Sequence, residues 1–171
     1  MNGRIIIQGV SFFAYLFLQT LVLRGFILID SAFCLAYVGF LLLLPIETSV
    51  IWLMLLGFAM GLGVDVFYDS LGIHASASVF IMFMRNYWIN LLTPQGGYDL
   101  GAIPSITLDG WQWFVSYALP LVFLHHLVLF YIEAGGFHLF SFTLMKVLGS
   151  TLFTFLFLFI LQYFFYAKRR R

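Results

Sequence analysis

Long apolar runs dominate this sequence and leave few folds open to it. They occupy residues 5–23, 25–44, 50–68, 73–92, 111–132 and 139–167, separated by polar breaks. About 20 consecutive apolar residues is the length at which a helix crosses the hydrocarbon core of a bilayer. Six such runs cannot all be hidden from water inside a soluble globule of 171 residues, and only 9% of those residues are charged. A soluble domain carries roughly a quarter charged residues. That balance excludes an ordinary soluble enzyme, a disordered chain and a free nucleic-acid binder. Barrel strands are excluded as well, because the runs are apolar all round and do not alternate. The reading is all-α: one integral membrane domain over residues 1–171 with six transmembrane helices.

The breaks support these limits. Arg24 closes the first run, and Pro45-Ile46-Glu47 stops the second, which also contains Asp30. Asp69-Ser70-Leu71-Gly72 separates the third from the fourth. Residues 93–110 hold Pro94, Gly96, Gly97, Gly101 and Pro104, a turn-rich loop. Arg4 precedes the first run, and no small-residue cleavage site closes it, so it is expected to stay as an anchor. Basic residues favour the cytoplasmic side. The tail Lys168–Arg171 therefore sets the C-terminus in the cytoplasm, and an even number of spans brings the N-terminus and the 93–110 loop to the same side. Cys34 is the single cysteine, which rules out an intrachain disulfide. Trp52, Trp88, Trp111 and Trp113 lie near span ends, where indoles anchor in the interface.

Charged groups inside spans are costly, about 2.5–3.5 kcal/mol each at a helix centre, and each needs a partner. Counting 1.5 Å per residue puts Asp65, His125, His126 and Lys146 in the outer half of the bilayer. They are expected to form a polar cluster that clamps the helices together. Arg85 lies deeper, at the inner face, where it is expected to snorkel towards Glu47 or Asp109. Adjacent His125 and His126 point about 100° apart on a helix and are not expected to share one site, so no haem or metal is assigned to them. Gly57 and Gly61 form a GxxxG stripe that Asp65 continues, allowing close approach of a helix of this bundle, a partner or a second copy of the chain. No catalytic triad, metalloprotease motif or phosphate loop is present. Asp65 and Asp69 share a helix face without a base beside them. No catalytic residue and no cofactor are assigned, and the chain is read as non-enzymatic.

The stretch Gly61-Leu62-Gly63-Val64-Asp65, followed by Asp69-Ser70-Leu71-Gly72-Ile73-His74-Ala75, resembles the signature of the bacterial rod shape-determining MreD family. Size, span number and the basic C-terminus agree with that family. The resemblance implies a scaffold subunit of the inner-membrane complex that builds the lateral cell wall. The implied partners are the bitopic protein MreC, the actin-like MreB filament, and RodA with its penicillin-binding transpeptidase. It also implies a fold similar to the substrate-binding component of energy-coupling-factor transporters. Gly57, Gly61, Asp65, Gly72 and His74 are the residues expected to serve helix packing or partner contact. The Ala-x-x-x-Ala docking motif of those transporter components is missing, since Ala14 is followed by Leu18. A small-molecule-binding transporter subunit is the alternative function.

Overall fold

Four helices are long and apolar enough to cross a membrane: Ile5–Leu23, Val50–Tyr68, Gly110–Glu133 and Phe140–Phe164, among the described residues. The computed structural model describes residues 2–28 and 31–169. Asp30 and the side chains of Arg4, Asp109 and the basic tail lie outside the described residues.

In chain order, α1 (Asn2–Phe17) runs on through a π-helical stretch, Leu18–Leu23, into a two-stranded antiparallel hairpin. The hairpin pairs β1 (Ile27–Leu28) with β2 (Ala32–Phe33), Ile27 opposite Phe33 and Leu28 opposite Ala32. A six-residue α2 (Tyr37–Leu42) follows, then α3 (Val50–Tyr68), α4 (Ile73–Leu91), α5 (Ile106–Glu133) and α6 (Phe140–Arg169).

The expected second span is overturned. Residues 25–44 form the hairpin and α2, and six helical residues reach only about 9 Å. Gly25 sits in a turn, β2 takes its hydrogen bonds partly from α6, and Pro45 stops the chain from continuing as a helix. The segment still belongs to the core. Cys34, Leu35, Ala36, Tyr37, Val38 and Leu41 are all at most 3% exposed. It enters beside Ser150 of α6, where the Phe33 N–H donates to Oγ at 2.9 Å. It leaves beside the loop before α5, where the Ile46 N–H donates to Ala102 O at 2.9 Å. Residues 33–46 thus thread through the bundle from one end to the other. Irregular backbone at such a depth is tolerated only when protein surrounds it and its polar groups are paired.

The expected fourth span is a single helix of 19 residues, but it carries His74, Ser76, Ser78, Arg85, Asn86 and Asn90 and falls outside the strongly apolar set. The turn-rich loop is shorter than expected, because α5 begins at Ile106.

Neighbouring helices alternate in direction. Gly57 and Gly61 of α3 pack on Ser78 and Ala75 of α4, Arg85 of α4 bonds Tyr117 of α5, and His126 of α5 meets Thr154 of α6. α1 runs parallel to α3, with Leu16 against Gly63 and Arg24 over the Tyr68 ring. The start of α1 and the end of α6 therefore lie at the same end of the bundle. Pro120 interrupts α5 and leaves the Ser116 carbonyl without its helical donor. The Trp88 indole of α4 supplies one at 3.0 Å.

Surface and core are inverted relative to a soluble protein. Ile7, Leu21, Ile51, Val66 and Met145 are each more than 60% exposed, whereas Gln19, Ser78, Arg85, His125, His126, Ser150 and Thr154 are fully buried. An apolar coat over a polar-studded interior is what lipid as solvent demands. The chain is a helical membrane protein.

Candidate functional site

The joint between α3 and α4 gathers most of the residues singled out in the sequence. At the end of α3, Asp69 adopts the left-handed conformation at φ 52° and returns its N–H to the Asp65 carbonyl. Gly72 follows at φ 83°, a backbone that glycine alone takes without penalty. The chain reverses, and α4 starts against the flank of α3. Contact there is close: a methyl group on Gly61 would collide with the backbone of Ala75. One on Gly57 would lie 3.1 Å from the Ser78 carbonyl. The glycine stripe is spent on the protein's own α3–α4 contact and is not open to a partner helix.

Asp65 completes the joint. The first N–H groups of any helix lack intrahelical acceptors. In α4, His74 N–H donates to Asp65 Oδ1 at 3.0 Å and Ala75 N–H to Oδ2 at 2.9 Å. The Ser70 hydroxyl adds a bond of 2.7 Å to Oδ1, and His74 Nδ1 lies 3.0 Å from the same oxygen. A buried carboxylate thus takes four hydrogen bonds at the positive end of a helix dipole, an N-cap donated from the preceding helix.

The expected cluster of Asp65, His125, His126 and Lys146 does not form by direct bonds. Asp65 is satisfied by its own joint. His125 Nε2 shares a 2.8 Å hydrogen bond with the Tyr37 hydroxyl of α2. His126 Nδ1 donates to Val122 O at 2.7 Å, and its Nε2 lies 3.1 Å from Thr154 Oγ1. Lys146 Nζ bonds Glu133 at 2.7 Å and sits over the rings of Phe130 and Phe33, 4.4 and 4.8 Å from their centres. What links the four is a chain of rings: Tyr68 on His74, His74 on Tyr37, Tyr37 on His125, His125 on His126, and His126 on Phe130, each pair 5.2 to 5.9 Å apart. Both histidines are buried, yet they take different partners, because α2 and α6 approach α5 from different sides and each takes one.

Arg85 is corrected more sharply. It does not snorkel to Glu47 and is fully buried. Its Nε donates to the Tyr117 hydroxyl at 2.8 Å and its Nη2 to the carbonyls of Leu44 and Leu42, the latter at 3.5 Å. Tyr117 in turn donates to Leu42 O at 2.7 Å. These carbonyls end α2 and have no helical donors left. The guanidinium caps the buried short helix, with partial negative charge on peptide oxygens standing in for a carboxylate.

No family model, curated protein or solved structure matches this chain. Among the described residues, no group of three or more His, Cys, Asp and Glu side chains is arranged to hold a metal ion. The residues that sequence reading missed are Tyr37, Ser70, Tyr117 and Glu133. Ser70 was detectable as a hydroxyl inside the turn that reverses the chain onto Asp65. Glu133 was detectable as an acid closing the fifth run ahead of Gly135 and Gly136. Tyr37 and Tyr117 carried no signal, since each acts through a contact between distant elements.

Around this interior, β2, the end of α3, the start of α4 and the facing ends of α5 and α6 border a partly open cavity of about 130 Å³ lined by His74, Glu133 and Lys146.

Proposed function

We propose that this chain is a non-enzymatic scaffold subunit of the bacterial cell-wall elongation complex, a member of the MreD family. In this reading it lies in the inner membrane, binds MreC, and couples the MreB filament to RodA and its penicillin-binding transpeptidase. The observation that carries the reading is the α3–α4 joint. Gly61, Asp65, Gly72, His74 and Ala75, the residues on which the resemblance rests, act there as one structural unit. That these residues form one joint supports the family reading. With Gly57 and Gly61 packed on α4, this reading takes partner contact to the apolar outer faces of α1, α3 and α6.

The same reading takes residues 33–46 as a sixth, irregular crossing beside five helical ones. An even number of crossings, with the start of α1 and the end of α6 at one end, then puts both termini in the cytoplasm by the charge of the Lys168–Arg171 tail. The likeness to the substrate-binding component of energy-coupling-factor transporters belongs to this proposal too.

Depletion of the protein in a rod-shaped host is expected to give round cells, and the tagged protein in mild detergent is expected to recover a bitopic coiled-coil partner. Normal rods together with no such partner would overturn the reading. The alternative, a small-molecule-binding transporter subunit, is favoured by the cavity beside His74. It calls for recovery of ATPase subunits instead.

A further inference from the structure

Three polar groups face the 130 Å³ cavity with hydrogen-bonding capacity to spare. His74 is only 6% exposed. Its Nδ1 is turned to the Asp65 carboxylate, which only accepts, so Nδ1 carries the proton and Nε2 is left as an acceptor. Among the described residues Nε2 has no hydrogen-bond partner. His74 lines the cavity, and an imidazole nitrogen left there without a donor favours a group that comes to meet it. Lys146 Nζ gives one of its three N–H groups to Glu133 and lies against the faces of Phe33 and Phe130. Glu133, half exposed, holds the mouth. The other hydroxyls of the lining are occupied, Tyr68 with Gln19 and Ser70 with Asp65.

Charge around the cavity is nearly balanced. Lys146 offsets Glu133, and the Asp65 carboxylate is spread over its four hydrogen bonds. Neither a bare anion nor a bare cation is selected. The cavity asks for a donor to His74 Nε2 and an acceptor for Lys146, and a hydroxyl group is both. Its volume admits only a small group. Sites for drug-sized or vitamin-sized ligands hold about 300–1,000 Å³. We propose that this cavity binds a hydroxyl-bearing unit of glycerol size, its O–H donating to His74 Nε2 and its oxygen accepting from Lys146 Nζ. The unit comes from a phosphatidylglycerol headgroup or from a free polyol, and the inference rests on neither reading of the overall function.

The test uses the full chain with ¹⁵N-labelled histidine in phosphatidylcholine nanodiscs. The His74 Nε2 resonance is expected to move when phosphatidylglycerol replaces phosphatidylcholine, if the source is lipid, or when free glycerol is added, if it is not. An equally anionic phosphatidylserine disc is expected to leave it in place. His74→Asn keeps an N–H for Asp65 and removes Nε2, while Lys146→Met removes the donor. Each is expected to hold the effective probe about tenfold more weakly by native mass spectrometry or saturation-transfer NMR, with the bundle intact by thermal unfolding. No movement with either probe, the same movement with phosphatidylserine, or wild-type binding by both variants would overturn the proposal.

Discussion

Asp65 Oδ2 accepts the backbone N–H of Ala75, ten residues further along the chain, at 2.9 Å. One short bond thus joins the last turns of α3 to the first turn of α4. Asp65→Leu removes this acceptor and the one used by His74, leaving donors unpaired where water is scarce, at about 1–3 kcal/mol for each buried group. Asp65→Asn keeps one acceptor oxygen and is expected to lose less. Unfolding of the two variants in the same detergent checks the order. Equal stability for wild type and Asp65→Leu would show that the joint holds without its cap.

The glycines of α3 are not equivalent. Gly61→Ala drives a methyl into the Ala75 backbone, which cannot give way without moving a helix, whereas Gly57→Ala first meets the flexible Met82 side chain. Overpacking of this kind costs about 1–3 kcal/mol. Gly61→Ala is expected at the top of that range and Gly57→Ala below it. Gly9→Ala, with open space around it in α1, is expected to be neutral or mildly stabilising. Thermal unfolding of the three single variants measures the ranking.

Arg85→Met is expected to loosen the end of α2 by stripping donors from the Leu42 and Leu44 carbonyls, at about 1–3 kcal/mol. Tyr117→Phe removes one donor to Leu42 and also the acceptor of the buried Arg85 Nε, so it is expected to cost at least as much as Arg85→Met. Amide hydrogen exchange at residues 43–46 reports the change directly. Exchange there should rise in Arg85→Met before it rises in α3 or α5.

Thr154 holds β2 against α6: the Leu35 N–H donates to its hydroxyl oxygen at 2.9 Å. Thr154→Val keeps the shape and removes the hydroxyl, while Thr154→Ser keeps the hydroxyl. Cys34, 1% exposed and next to Leu35, is a native reporter. Maleimide is expected to label it faster in Thr154→Val and at the wild-type rate in Thr154→Ser.

Four of the expected helices needed only an apolar run and its breaks, since hydropathy reports directly on residues such as Val50 to Tyr68. The stretch from Gly25 to Leu44 misled because hydropathy counts apolar side chains and is blind to whether the backbone between them is helical. Here the deciding partners are Ser150 and Thr154, more than a hundred positions away. Arg85 was legible as a buried charge but its acceptors were not, because peptide carbonyls leave no mark in a sequence. Asp65 lay at the other extreme. All its donors come from the ten residues that follow it, so spacing alone contained the answer, hidden by the habit of seeking a distant opposite charge.

The threaded segment also bears on how the protein is made. A membrane-inserting chain emerges from its N-terminus, and helices such as α3 can leave the insertion machinery once complete. Residues 33–35 cannot settle on that schedule. The hydroxyls that pair their N–H groups lie on α6, 117 and 119 residues later, and do not exist until Ser150 and Thr154 have been made. Residues 33–35 must wait for α6, so a ribosome stalled before Ser150 holds a chain whose threaded segment is still unpaired.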